Sequence, residues 1–194
     1  MKNTTAAVAF TVLLLGTSTQ QTVAGEVAID FFDQQSFKLA VQQDVVACWA
    51  ASMSAALKSK GIDLPQSSIK IAVNGSPQAS TLTDPLKLSQ LLNLLPYKEG
   101  KLKTVNATLP AQRITWPQFK HEIESGNPFV VGYWTGPGSA HVVVVYGAIT
   151  NAADLPIAYK IWDPMPGVGR EIVPLQQLNQ VAWFFFILKS AHLE

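Results

Sequence analysis

Two hydrophobic patterns divide the chain. In the first half, apolar positions recur at helical spacing: Trp49, Met53, Ala56 and Leu57 predict a helix that begins near Ala47 and is closed around Gly61. A second short helix is expected within Pro65 to Val73, starting at Ser67 or Ser68, with a loop over Asn74 to Ser80 after it. Asp84 and Pro85 have the form of an N-cap followed by proline at the first helical position. They precede a Leu-rich stretch, Leu86 to Leu95, that stops at Pro96. Upstream, Glu26 to Gln43 shows only scattered apolar positions at Phe31, Phe32, Phe37 and Leu39 and reads as a lead-in.

The second half changes period. Thr115 is expected to cap a helix over Trp116 to Ser125, closed by Gly126. Short β-type runs follow at Phe129 to Trp134, His141 to Tyr146, Tyr159 to Trp162 and Trp183 to Leu188. Turn-rich pieces such as Thr135-Gly136-Pro137-Gly138 and Pro164-Met165-Pro166-Gly167 separate them. Runs this apolar predict strands buried on both faces or nearly so. Helices first and strands afterwards predict an α+β protein, a helical lobe packed on an antiparallel sheet lobe.

The N-terminus has a different logic. Lys2 supplies a positive charge, Ala6 to Leu15 is apolar, Gly16 to Gln21 is polar, and Thr22-Val23-Ala24 fits a small-x-small cleavage site, with Val23-Ala24-Gly25 as a nearby alternative. This is the layout of a secretory signal peptide. Its apolar core of about ten residues is half the ~20 needed to span a bilayer. Nothing later in the chain is long and apolar enough to do so. The expected division is therefore a signal peptide over residues 1–24 and one folded domain over 25–194, its helical lobe covering about 40–110 and its sheet lobe about 111–190. The product is expected to be exported, periplasmic or secreted, with no membrane anchor after cleavage.

Composition narrows the function. Of 194 residues, 48% are hydrophobic and 14% charged, which is ample for a core and unlike a disordered chain. A net charge of +1 with no basic run argues against nucleic acid as a partner. The single cysteine excludes an internal disulfide, and no Cys/His cluster has metal-ligand spacing, so no metal is expected. In an exported protein an unpaired cysteine is either a reactive thiol or a small buried hydrophobe. Both readings of Cys48 stand on the count alone.

Position adds to the first reading. Cys48 falls at the expected first turn of a helix, where unpaired N–H groups and the macrodipole favour a negative sulfur. A cysteine nucleophile also needs a base and a group that stabilises the oxyanion. Of the three histidines, His121 lies within an expected helix beside Lys120 and Glu122, and His192 is third from the C-terminus. His141 opens the run Val142 to Val145 directly after a Gly/Pro/Ser loop, a strand end beside chain that could border a cleft, and is the choice for the base. Asp163 ends the next strand and precedes Pro164. If the two strands form an antiparallel hairpin, the start of one lies beside the end of the other and His141 and Asp163 become neighbours. Asp-Pro is equally a common turn-forming pair.

Together, Gln42, Cys48, Trp49 and Ala50 (Q-x5-C-W-A), then His141 opening a Val-rich strand, then Asp163-Pro164, resemble the papain-like cysteine peptidases. The bacterial branches are the nearest in character: the bacteriocin leader-peptidase-like group and the secreted effector-protease-like group. The resemblance spans roughly Gln42 to Leu188. It implies a papain-like fold with a cleft between helical and sheet lobes, Cys48 as nucleophile, His141 as general base and then acid, and Asp163 as the residue that orients the histidine. It implies Gln42 as side-chain donor to the oxyanion alongside the backbone N–H of Cys48; Gln43 is the rival, and the six-residue spacing favours Gln42. Trp49 would pack between the lobes. No metal or organic cofactor is implied, and the partner is a peptide or protein substrate. Two features depart from the family patterns: Ala47-Cys48-Trp49 stands in place of Ser-Cys-Trp or Asp-Cys-Gly, and an aspartate replaces the plant enzymes' asparagine.

Three functions fit this pattern. The leading one is an exported cysteine peptidase working through a thioester acyl-enzyme. A transglutaminase-like or other acyl-transferring Cys-His-Asp enzyme would use the same groups with an amine as acceptor. A non-catalytic peptide- or protein-binding module would keep the fold and not the chemistry.

Overall fold

Val142 to Val145 are buried on both faces of the longest strand, as their continuous apolar run predicts. They occupy the middle of a sheet in a computed structural model that describes residues 23–34, 41–78, 81–82, 86–88, 90, 104–108 and 114–191. The elements in order are β1 (Val23–Ala28), α1 (Asp30–Asp33), α2 (Cys48–Ser59), α3 (Gln66–Asn74), β2 (Thr104–Thr108) and α4 (Trp116–Glu124). Then follow β3 (Phe129–Gly136), β4 (Ser139–Asn151), β5 (Pro156–Asp163), β6 (Gly169–Pro174), α5 (Leu175–Val181) and β7 (Ala182–Ala191). The seven-stranded sheet runs β2-β7-β3-β4-β5-β6, with β1 pairing the far half of β4, and each pairing is antiparallel. The architecture is the expected α+β arrangement of helices on a curled antiparallel sheet.

Helix α2 is buried around most of its circumference, from Cys48 through Met53 and again over Ala55 to Leu57. Its small residues Ala50, Ala51 and Ser52 let the helix backbone approach β4 closely enough for the Ser52 hydroxyl to donate to the Val142 carbonyl at 2.8 Å. The helix ends as its sequence predicts. Gly61 takes a left-handed conformation (φ 75°), its N–H bonds Lys58 O, and Ile62 N–H bonds Leu57 O. At α4 the expected Thr115 cap forms a reciprocal box with Gln118, whose side-chain oxygen accepts from the Thr115 N–H at 3.0 Å. Helix α3 begins at Gln66, earlier than Ser67 or Ser68, because Pro65 supplies the extended N-cap residue.

Three strands escape the hydrophobic pattern. β1 runs from the end of the expected signal into the lead-in, β2 lies beyond the expected Leu-rich helix but inside the expected helical lobe, and β6 follows the turn-rich piece Pro164 to Gly167. None has a strong apolar run; each forms because the neighbouring strand, β4, β7 or β5, offers open backbone hydrogen-bonding groups. The expected strands are also longer than their apolar cores, β4 starting at Ser139 and ending at Asn151. Several expectations fall outside the described residues: the signal segment over 1–22, Phe37, Leu39, Asp84-Pro85, His192, and most of the Leu-rich stretch, of which residues 86–88 and 90 are helical. Val23 and Ala24, the last residues of the expected signal, open β1.

The crossing of β1 over Gly147 is tight. A Cβ at Gly147 would lie 2.5 Å from the Val27 carbonyl oxygen and 2.9 Å from Ala28 Cα. Gly147→Ala is expected to destabilise the fold by about 1–3 kcal/mol by pushing β1 away. That corresponds to about 2–4 °C in Tm per kcal/mol for a chain of this size. An unchanged Tm in differential scanning calorimetry would mean that β1 does not pack there in solution.

Candidate active site

Residues 41–47 lead into α2 through a turn built on Asp44. Its side-chain Oδ1 accepts from the Val46 N–H at 3.2 Å, and its carbonyl accepts from the Ala47 N–H at 3.1 Å. Cys48 is then the first residue of α2, preceded by Ala47, which has no side chain to cap the helix. The first-turn N–H groups are consequently left for other acceptors. The thiol is free and largely buried.

His141 is the third residue of β4 and Asp163 the last of β5. The register pairs Val144 with Trp162, and one further step sets Val143 opposite Asp163. His141, two residues along, shares the face of Val143 because strand side chains alternate. The imidazole and carboxylate thus meet diagonally across the hairpin, and His141 Nε2–H donates to Asp163 Oδ1 at 2.8 Å. The same oxygen accepts from the Met165 N–H at 2.7 Å. Asp163 therefore makes the turn and holds the histidine at once, so the two sequence readings of Asp-Pro are one structure.

The Cys48 thiol lies near enough to the imidazole to help hold its proton. With Nε2 engaged by Asp163, Nδ1 is the ring nitrogen left for another partner. Burial alone would push His141 toward the neutral form. The hydrogen bonds to Asp163 and Cys48, with their negative charge, outweigh it and raise its pKa to about 9. An imidazole so placed stays protonated at neutral pH and can pass its proton to a group that approaches the sulfur.

Gln42 reaches the same place from the loop. Its backbone N–H bonds the Pro164 carbonyl at 2.9 Å, which sets it beside the turn that follows Asp163. Its side-chain oxygen is buried without a hydrogen-bond partner, and among the described residues no hydrogen bond uses its side-chain N–H groups. Gln43 is instead exposed. Its backbone N–H points away to the Gln66 side chain at 3.2 Å. Trp49 is fully buried in the core. His121 is exposed on α4 and takes no part in this cluster. Among the described residues no group of three or more His, Cys, Asp or Glu is placed to hold a metal ion.

Tyr133 belongs to the cluster and has no mark in the sequence beyond its strand. It stands opposite His141 across the β3–β4 hairpin and meets the imidazole edge to face, centroids 5.7 Å apart and planes at 83°. Burial, and then the negative charges of Asp163, Glu171 and Cys48, push its pKa up to about 12, so the phenol stays neutral. Counting back across the Gly/Pro turn from His141 was the one available signal.

The family described as papain-like cysteine protease AvrRpt2 matches residues 31–182. Among solved structures, the chain is similar to the peptidase domain of Streptococcus ComA, a bifunctional ABC transporter involved in a quorum-sensing pathway. That match has 17% identity over 81% of this chain and 99% of that one, with a TM-score of 0.56. It is similar to a protein from Bacillus anthracis described as a C39-like peptidase, with 12% identity over 88% of this chain and all (100%) of that one, TM-score 0.59. A double-glycine-motif protease from an AMS/PCAT transporter, solved in complex with its leader peptide, matches at 15% identity over 79% and 90% of the two chains, TM-score 0.50. At these identities the likeness is one of fold. No curated protein matches the sequence.

Proposed function

The chain belongs to the papain-like cysteine protease family described by AvrRpt2, and from that premise we propose that it is an exported cysteine peptidase that cleaves peptide bonds through Cys48, His141, Asp163 and Gln42. The observation that carries this reading is the 2.8 Å hydrogen bond between His141 and Asp163, with the Cys48 thiol near enough to the same imidazole to help raise its pKa. The export reading rests on the charged, apolar, polar and small-residue order of residues 2–24. Among the described residues no helix is long and apolar enough to cross a membrane.

In this mechanism the Cys48 sulfur attacks the scissile carbonyl carbon as the negative partner of the His141 imidazolium. The oxyanion that forms is held by the Gln42 side-chain N–H and the backbone N–H of Cys48. His141 gives its proton to the leaving amine, the C–N bond breaks, and a thioester remains on Cys48. The imidazole, now neutral, takes a proton from water, whose oxygen attacks the thioester. A second oxyanion collapses, the C–S bond breaks, and the carboxylic acid leaves. Asp163 holds the ring through Nε2 and balances its charge in both halves of the cycle. The substrate is an extended peptide: Val41 and Met165, the chain neighbours of the hydrogen-bonded Gln42 and Pro164, are exposed apolar side chains that suit the side chains of a bound chain.

The test is to incubate the protein with a peptide library in ¹⁸O-water containing an alkylamine, and to read the new C-termini by mass spectrometry. Hydrolysis predicts ¹⁸O-labelled carboxylates. Products carrying the amine instead would make the protein an acyl transferase, and a library left intact would make it a binding module.

A further inference from the structure

The loop that carries Gln42 has no secondary structure of its own, yet it is gripped at several points by helix α3. Gln66 and Lys70 are one turn apart on α3 and therefore lie on the same face. Both are almost fully buried, at 2% and 4% exposure. The Gln66 amide brackets Gln42: its Nε2–H donates to the Val41 carbonyl at 2.9 Å and its Oε1 accepts from the Gln43 N–H at 3.2 Å. A side-chain amide has one donor side and one acceptor side, as a peptide group has, so it pairs with this segment as a neighbouring strand would. Lys70 Nζ donates to Asp44 Oδ2 at 2.9 Å, while the other oxygen of Asp44 shapes the turn into Cys48. On the opposite side, the Gln42 N–H is tied to Pro164 beside Asp163. Gln42 is thus held between α3 and the turn that carries the histidine's partner.

We propose that Gln66 and Lys70 are positioning residues: they fix the 41–47 loop so that the Gln42 side chain presents its N–H groups to the oxyanion next to Cys48. Neither touches the reacting atoms. A group that donates to a developing charge must already be in place when the charge forms, and a loop whose own hydrogen bonds lie only within 44–47 does not fix Gln42 alone. The inference rests on the oxyanion role assigned to Gln42 above.

Two reagents separate positioning from sulfur reactivity. Iodoacetamide alkylates Cys48 by displacement at carbon, with no oxyanion; p-nitrophenyl acetate acylates it through a tetrahedral oxyanion. Gln66→Met keeps the side-chain length and removes both hydrogen bonds. It is expected to slow acylation at least about tenfold, as part of the roughly 10²–10³-fold expected for Gln42→Ala, the full loss of an oxyanion donor. Alkylation should stay within about twofold, since the Cys48–His141 pair is untouched. In a Gln42→Ala background Gln66→Met should add nothing, because the donor it positions is gone. If Gln42→Ala slows acylation and Gln66→Met does not, the positioning role is overturned and the reading of Gln42 survives. An unchanged acylation rate in Gln42→Ala overturns both. Equal loss of alkylation and acylation in Gln66→Met overturns the inference in favour of a general structural role. Should Gln66→Met fail to fold, Lys70→Met is read against the same outcomes, with Lys70→Arg expected to restore the rate by restoring the ion pair to Asp44.

Discussion

Cys48→Ala is expected to lower peptide-bond hydrolysis by about 10⁵–10⁶-fold, the scale seen when a nucleophile is removed from a set of groups that act as a unit. The reason is in the contacts. His141 is hydrogen-bonded to Asp163 and neighbours the thiol, and the Gln42 backbone is tied to the turn beside Asp163; in the proposed mechanism each of these groups works on a charge that the sulfur creates or receives. Without the sulfur there is no thioester and no ion pair, and the three remaining groups have nothing to act on. The fold should survive. The substitution removes one atom at the start of a helix whose remaining buried residues are intact, at a cost of about 1 kcal/mol. Cleavage by mass spectrometry, read beside a melting curve, checks both halves. Hydrolysis persisting in the alanine variant would move the chemistry elsewhere. Peptide binding without hydrolysis in either protein would leave a binding module.

The second large effect is on pH dependence. In the wild type the rate of Cys48 alkylation by iodoacetamide should depend less steeply on pH between 6 and 8 than in His141→Ala, because the positive His141 imidazolium lies beside the thiol. It should rise through a step near about 9, where the His141 imidazolium loses its proton. In His141→Ala the rate should climb about tenfold per pH unit over the same range, as for a free thiol with a pKa of about 8.5. Asp163→Asn should lower the wild-type step, since the hydrogen bond to the Asp163 carboxylate is the first of the interactions that raise His141. The sign for stability follows from the same shift. The folded-state value of about 9 lies above the ordinary 6.5, so the folded state binds the proton more tightly. This contribution to stability is complete below about pH 6.5 and is lost as pH rises through about 9. Parallel slopes in wild type and His141→Ala would mean that no thiolate–imidazolium pair exists.

Much of this was legible in residues. The helices at Cys48 and Trp116 follow from apolar spacing and from local stop and cap signals, Gly61 and the Thr115–Gln118 box, which need no distant partner. The strands β3, β4, β5 and β7 follow from apolar runs that only a doubly covered sheet can bury. With one cysteine and three histidines in the whole chain, composition already narrows the choice of nucleophile and base to a few residues. The hairpin logic that makes neighbours of His141 and Asp163 is a matter of strand order and antiparallel pairing, which sequence alone can state.

Other features depend on partners far along the chain. β1 has the composition of a linker and becomes a strand only because β4 extends past β3 and leaves its edge open near Gly147. Tyr133 enters the site through the register of the β3–β4 hairpin, and a shift of one residue would turn it to the other face. Gln66 and Lys70 read as ordinary polar residues on a short helix until α3 is packed against the 41–47 loop, 23 to 26 residues from the groups they bind. Helix caps, apolar periodicity and thiol chemistry are local properties, so the two capped helices, the apolar strands and the candidate nucleophile and base are readable along the chain. Which side chains hold those residues in place follows from the fold instead, because hydrogen bonds between distant segments exist only once register and packing have brought their ends within about 3 Å of each other.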